Sequence, residues 1–131
     1  MNTEQTLKVA LVEDSELLCE ILLDSMEGIP GVEVIGHVKG EDDALELLRQ
    51  AKPRLVIVDL ELEQGSGFGL LESVTRSREE FGNPKMAVFS NHGHPGIKNR
   101  CHRLGVDAFF DKAFQMDDLL DFITDMSVRH N

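Results

Sequence analysis

Four apolar runs in this chain of 131 residues stop abruptly at polar or charged side chains, and no other feature constrains the fold as tightly. Leu7 to Val12 runs into Glu13 and Asp14, and Leu55 to Val58 into Asp59. Met86 to Phe89 runs into Ser90, and Ala108 to Phe110 into Asp111 and Lys112. Short apolar runs of this kind read as strands, and Leu55 to Val58, apolar throughout, as a strand covered on both faces. A further strand, Val32 to Val38, has no such ending. In a parallel α/β sheet the carboxyl ends of the strands share one edge, and ligands bind there at the point where strand order reverses. Residues far apart in sequence then meet: three carboxylates, one hydroxyl and one ammonium.

Helical periods separate these runs. The first helix is expected over about Ser15 to Glu27, with Leu18, Leu22 and Met26 on one stripe and Leu17 and Ile21 beside it. The second follows Gly40, carries Ala44, Leu47, Leu48 and Ala51 on one face, and is blocked by Pro53. The third is expected over about Phe68 to Glu80, with Leu70, Leu71 and Val74 inward. The fourth runs from about Pro95 to Leu104, with Ile97, Cys101 and Leu104 inward. The fifth runs from about Met116 to Val128, with Leu119, Leu120, Ile123 and Met126 available to the core. Five βα units with short crossovers imply a parallel sheet with helices on both faces. The expected organisation is a short polar tail over residues 1–6, one domain over 7–129, and no output domain.

The length allows one domain with a sizeable core. No stretch is apolar and long enough to span a membrane, so no membrane insertion and a cytoplasmic location are expected. The formal net charge of -11 argues against nonspecific binding to nucleic acid or to an anionic membrane. Cys19 and Cys101 show no metal-ligand spacing and no disulfide framework, and are expected to be buried or half-buried free thiols.

Glu13 and Asp14 could simply begin the first helix, where acids favour the positive end of the dipole. That does not explain Asp59, which ends an all-apolar strand. Three clustered carboxylates repel one another, and such a cluster usually holds a cation. Oxygen donors without Cys or His nearby select Mg²⁺ or Mn²⁺ over zinc. Asp59 is then a candidate nucleophile, since a carboxylate can accept a phosphoryl group. Lys112 would place a point charge on the phosphate oxygens and Ser90 a hydrogen bond.

These residues together resemble the receiver domain of the response-regulator family. The match runs through Leu11-Val12-Glu13-Asp14, Val56-Ile57-Val58-Asp59-Leu60 with Gly67 after it, Val88-Phe89-Ser90, and Gly105 to Lys112. The resemblance covers almost the whole chain. It implies a three-layer, doubly wound, flavodoxin-like α/β fold with a five-stranded parallel sheet of order 2-1-3-4-5. It implies that Asp59 is the phosphoacceptor, that Asp14 binds Mg²⁺ directly, that Glu13 binds it through water, and that the Glu61 backbone carbonyl completes the shell. Ser90 takes the hydroxyl position, Lys112 the ammonium position, and Phe109 the aromatic switch. The chain departs from the family at Ala113, where Pro is common after the Lys, at Asn91, where a very small residue is usual, and at Glu63, where Pro is common.

Glu61, Asn91 and His92 are expected at the rim of the site, where Glu61 and His92 could orient or repel a hydrolytic water. The stretch from His92 to Gly105 has no acid, and its Lys98, Arg100 and Arg103, with Phe109, form a candidate partner or homodimer face. The function expected is a stand-alone response regulator in a bacterial two-component or phosphorelay pathway, a switch rather than an enzyme. Its donor would be a sensor histidine kinase or a histidine phosphotransfer protein, and its target an unspecified downstream protein. The alternative is an interaction module that uses the fold without phosphorylation. An aspartate-nucleophile hydrolase is disfavoured because Asp59-Leu60-Glu61 follows the third strand, not the first. Flavin binding is disfavoured because Glu13 and Asp14 would repel its phosphate.

Overall fold

The computed structural model describes residues 6–91 and 94–130. Five strands, β1 (Leu7–Val12), β2 (Val32–Val38), β3 (Leu55–Val58), β4 (Lys85–Ser90) and β5 (Ala108–Asp111), alternate with five helices. The helices are α1 (Glu16–Glu27), α2 (Glu41–Ala51), α3 (Gly67–Arg76), α4 (Pro95–Arg103) and α5 (Met116–His130). The strands form one parallel sheet of order β2-β1-β3-β4-β5, as the sequence implied. Leu11, Ile57, Ala87 and Ala108 stand in line across the four strands β1, β3, β4 and β5.

Side chains alternate between the two faces of a strand, so the sheet divides the core into two halves. Ala10, Val12, Val56 and Val58 face α2, α3 and α4, packing with Ala44, Leu48, Leu70, Leu71, Val74 and Cys101. Val9, Leu11, Leu55 and Ile57 face α1 and α5, packing with Cys19, Leu22, Met26, Leu119 and Ile123. Every residue of β3 is buried, which is why its sequence is apolar throughout. The two cysteines are buried free thiols, as expected.

Two expectations need correction. The third helix stops at Arg76, because Ser77 leaves helical geometry (φ -140°, ψ 53°). A 3₁₀ turn over Arg78–Phe81 follows and closes on Gly82, whose φ of 81° suits glycine. Leu17 and Ile21 do not join the core: Leu17 is 68% exposed and Ile21 40%. The buried stripe of α1 is Cys19, Leu22 and Met26, at the helical spacing of three and four.

Candidate functional site

The ends of the central strands carry the polar residues just past the hydrogen-bonded ladder. Asp59 N–H donates to Val12 O (3.0 Å), and Glu13 N–H donates to Val38 O (3.0 Å). Both side chains therefore leave the sheet at its carboxyl edge, beside the β1–β3 junction where strand order reverses. Ser15 caps α1 through its hydroxyl, which accepts from Leu18 N (3.2 Å). Glu13 Oε2 accepts from Ser15 N (3.1 Å), so the acid is fixed by the helix start it precedes.

Lys112 links the two buried acids. Its Nζ lies 2.8 Å from Asp59 Oδ2 and 3.0 Å from Glu13 Oε1. Glu13 is 3% exposed and Asp59 4%. Burial pushes the Glu13 carboxyl above its ordinary value, with the Asp59 charge adding to the rise and Lys112 opposing it. Burial works to lower the Lys112 pKa, yet its hydrogen bonds to Asp59 and Glu13 prevail and the net shift is upward. The ammonium therefore stays charged through the physiological range. Asp14 is half-buried, and one carboxylate oxygen from each of Glu13, Asp14 and Asp59 lies within 4.8 Å of the others.

Ser90 ends β4 opposite Asp111, and its carbonyl accepts from Lys112 N (3.0 Å). Its hydroxyl is fully buried and has no hydrogen-bond partner among the described residues. An unsatisfied buried hydroxyl costs about 1–3 kcal/mol.

The loops are closed by local hydrogen bonds. Glu61 is exposed, and its N–H donates to Asp59 Oδ1 (3.2 Å). The Lys112–Ala113 bond is trans. Asp111 holds the loop beyond it: its carboxylate accepts from Ala113 N (2.7 Å) and its carbonyl from Gln115 N (2.8 Å). Asn91 is exposed beside Ser90, and His92 lies outside the described residues.

Phe109 is half-buried on β5, and Lys98 Nζ sits 5.5 Å from its ring centroid. The Arg100 guanidinium stacks 3.9 Å over the Phe68 ring and pairs with Glu72 of α3 (3.2 Å). Arg103 is exposed at the end of α4.

One feature was not anticipated from the sequence. Glu41, at the start of α2, accepts from Ser66 N (2.9 Å), while Asp42 N donates to the Gln64 side chain (3.0 Å). Gln64 O in turn accepts from Glu41 N (2.9 Å). This clasp fixes the loop that follows Asp59. The available signal was the pairing of three acids after Gly40 with three glycines at 65, 67 and 69.

A doubly wound parallel sheet with an acid–lysine cluster at its switch point defines a flavodoxin-like protein with a charged site on its carboxyl edge. The sequence model of the response regulator receiver domain matches residues 9–124, and the chain belongs to that family, the receivers of two-component signalling. The chain is 27% identical over 116 residues to the protein-glutamate methylesterase/protein-glutamine glutaminase of Treponema pallidum, covering 87% of this chain and 28% of that protein. A protein of the same description from Clostridium acetobutylicum is 28% identical over 122 residues, covering 89% of this chain and 34% of that one. The chain thus spans about a third of the length of the curated relatives it matches. Among solved structures, the response regulator domain of Thermotoga maritima CheB aligns with TM-score 0.80 and 19% identity, covering 95% of this chain and 96% of that one. The signal receiver domain of the NarL regulator from Mycobacterium tuberculosis aligns with TM-score 0.82 and 21% identity, covering 93% and 96%. At these identities the structural likeness speaks to the fold alone.

Proposed function

We propose that this receiver accepts a phosphoryl group on Asp59 from a phosphohistidine, supplied by a histidine kinase or phosphotransfer protein. The observation that carries this reading is the buried Ser90 hydroxyl, without a partner among the described residues, on the same sheet edge as a lysine already bound to Asp59. A carboxylate oxygen of Asp59 forms the new P–O bond while the donor's P–N bond breaks. Lys112 and Ser90 then meet the phosphoryl oxygens, the first as a fixed charge and the second as a hydrogen-bond donor.

Three carboxylates against one ammonium leave an uncompensated negative site, and an all-oxygen donor set fits Mg²⁺ or Mn²⁺. Glu13, Asp14 and Asp59 would hold the ion, with the Glu61 backbone carbonyl as a further donor. When bound, the ion supplies neutralisation of phosphate oxygens.

Output runs through the face of α4, β5 and α5. Phe109 responds to the position of Ser90, and Lys98, Arg100 and Arg103 meet the downstream partner. Replacing Arg100 and Arg103 by Glu is expected to abolish partner capture; unchanged capture would remove this face from the proposal. The stand-alone form is part of the proposal, and the mass of the native polypeptide in cells tests it.

Intact-mass spectrometry after incubation with Mg²⁺ and acetyl phosphate tests the chemistry. One added phosphoryl group is expected, dependent on Mg²⁺ and absent from Asp59→Asn. If neither acetyl phosphate nor a phosphohistidine donor leaves an adduct, the reading gives way to a phosphorylation-independent interaction module.

A further inference from the structure

The start of α3 is capped from two places. Ser66 is its N-cap, and the Ser66 hydroxyl accepts from Gly69 N (3.0 Å). In a capping box the reciprocal bond comes from an acid three residues further on, whose carboxylate accepts from the N-cap N–H. Here that position is Gly69, which has no side chain, and the first turn of α3 carries no acid. Glu41, at the start of α2, takes the part instead: its Oε1 accepts from Ser66 N (2.9 Å). A Cβ at position 69 would fall against both oxygens of the Glu41 carboxylate, so the distant acid fills the space that a side chain there would need. The same charge meets the positive end of the α3 dipole.

The loop caps α2 in return. The N-cap of α2 is Gly40, which offers no side-chain bond. Gln64 accepts from Glu41 N through its carbonyl (2.9 Å) and from Asp42 N through its side chain (3.0 Å). Two helix starts are thereby tied through one short segment of loop, and that segment reaches the sheet edge. Ser66 pairs with Glu61 as an antiparallel bridge, and Gly67 N donates to Leu60 O (3.0 Å). Glu61 N donates to Asp59 Oδ1 (3.2 Å), while Lys112 Nζ holds Oδ2 (2.8 Å). Each Asp59 oxygen has its own anchor, one on the clasped loop and one beyond β5. A carboxylate held at a fixed angle attacks more effectively than one free to turn.

We infer that Glu41 is a positioning residue for Asp59. It completes the cap of α3 from outside that helix and so fixes the Glu61 N–H that orients the Asp59 carboxylate. Its effect on phosphoryl transfer rests on the phosphoacceptor reading above, whereas its hold on Glu61 does not. Asp43 stands exposed in the same first turn of α2 with the same charge, which makes it the control for electrostatics alone.

Two readouts are taken on the same variants. One is amide hydrogen exchange by NMR on the metal-free chain. The other is the rate of phosphoryl uptake by intact mass at saturating Mg²⁺, from acetyl phosphate or, failing that, a phosphohistidine donor. In Glu41→Ala the Ser66 and Glu61 amides are expected to exchange about fivefold faster, the factor that loss of a helix cap carries, with the Asp59 amide unchanged in its bond to Val12. Uptake should slow by a comparable factor. Glu41→Gln keeps an acceptor oxygen and should stay near the wild type, as should Asp43→Ala. Combining Glu41→Ala with Gly69→Glu places the acid where an ordinary capping box has it, in the space just vacated, and should restore both readouts. Unchanged Glu61 exchange in Glu41→Ala overturns the inference. So does wild-type uptake in that variant, or an equal slowing in Asp43→Ala, which would reduce the effect to charge. A wild-type chain that takes no phosphoryl group from either donor defeats the phosphoacceptor reading instead, and Glu61 exchange then decides the positioning role alone.

Discussion

At the scale of single residues, Ser90 is the clearest case of a group placed for something other than stability. Its hydroxyl is buried without a partner among the described residues, while its backbone serves β4 and β5. Removing an unsatisfied polar atom relieves a desolvation cost instead of breaking a bond. Ser90→Ala is therefore expected to be neutral or up to about 1 kcal/mol more stable, read as a higher urea midpoint at unchanged slope. The same variant should accept phosphate on Asp59 more slowly, since the phosphoryl oxygen loses a donor. A clear loss of stability would mean that the hydroxyl has a structural partner and would withdraw the main support for the site.

At the scale of elements, the strands were legible because most are short apolar runs bounded by turn or polar residues, too short for helices, and β3 is buried throughout. Four of the five strands end within a residue of their apolar run, and β2 matches its range throughout. The helices were less legible where solvent decides. Leu17 and Ile21 lie next to the buried stripe in sequence pattern, yet α1 covers only the side that carries Cys19, Leu22 and Met26. The third helix seemed longer because apolar spacing cannot register the backbone break at Ser77. The acid–lysine cluster was legible because each member ends a strand. The clasp from Glu41 and Asp42 to Gln64 and Ser66 was not, since it joins a helix start to a loop more than twenty positions away. Its glycines give a graded prediction. A Cβ at Gly67 would stand 2.3 Å from Asp59 O and 2.6 Å from Leu60 Cα, both backbone atoms that cannot turn aside. A Cβ at Gly69 would meet only the Glu41 carboxylate, the end of a flexible side chain. Gly67→Ala is expected to cost about 3 kcal/mol, near the top of the overpacking range, and to impair phosphorylation by displacing the Asp59 backbone. Gly69→Ala should cost about 1 kcal/mol or less as Glu41 swings out. Equal losses in urea denaturation would show that the loop, not the contact at Asp59, sets the sensitivity.

At the scale of the whole molecule, charge is distributed against stability and in favour of ligand binding. The chain carries a formal net charge of -11, and three of its acids converge on one edge with a single lysine between them. Folding brings those acids together and so raises their mutual repulsion, a cost that a specific cation removes. A ligand that binds only the folded state stabilises it by about 2.7 kcal/mol at a hundredfold excess over its dissociation constant. For a domain of this size that corresponds to a melting temperature higher by roughly 10 °C. Bulk salt also screens repulsion, with a Debye length of about 10 Å at 0.1 M, but acts on all surface charges alike. Thermal unfolding in Mg²⁺ is therefore to be compared with NaCl at equal ionic strength. Mg²⁺ should raise the midpoint well beyond NaCl in the wild-type chain. In Asp14→Asn the Mg²⁺ increment should collapse to the NaCl value, because one of three carboxylate ligands is gone while the other surface charges are unchanged. Equal responses to the two salts in the wild type would show that the edge acids act only through general repulsion. A full Mg²⁺ response in Asp14→Asn would place the ion elsewhere on the molecule.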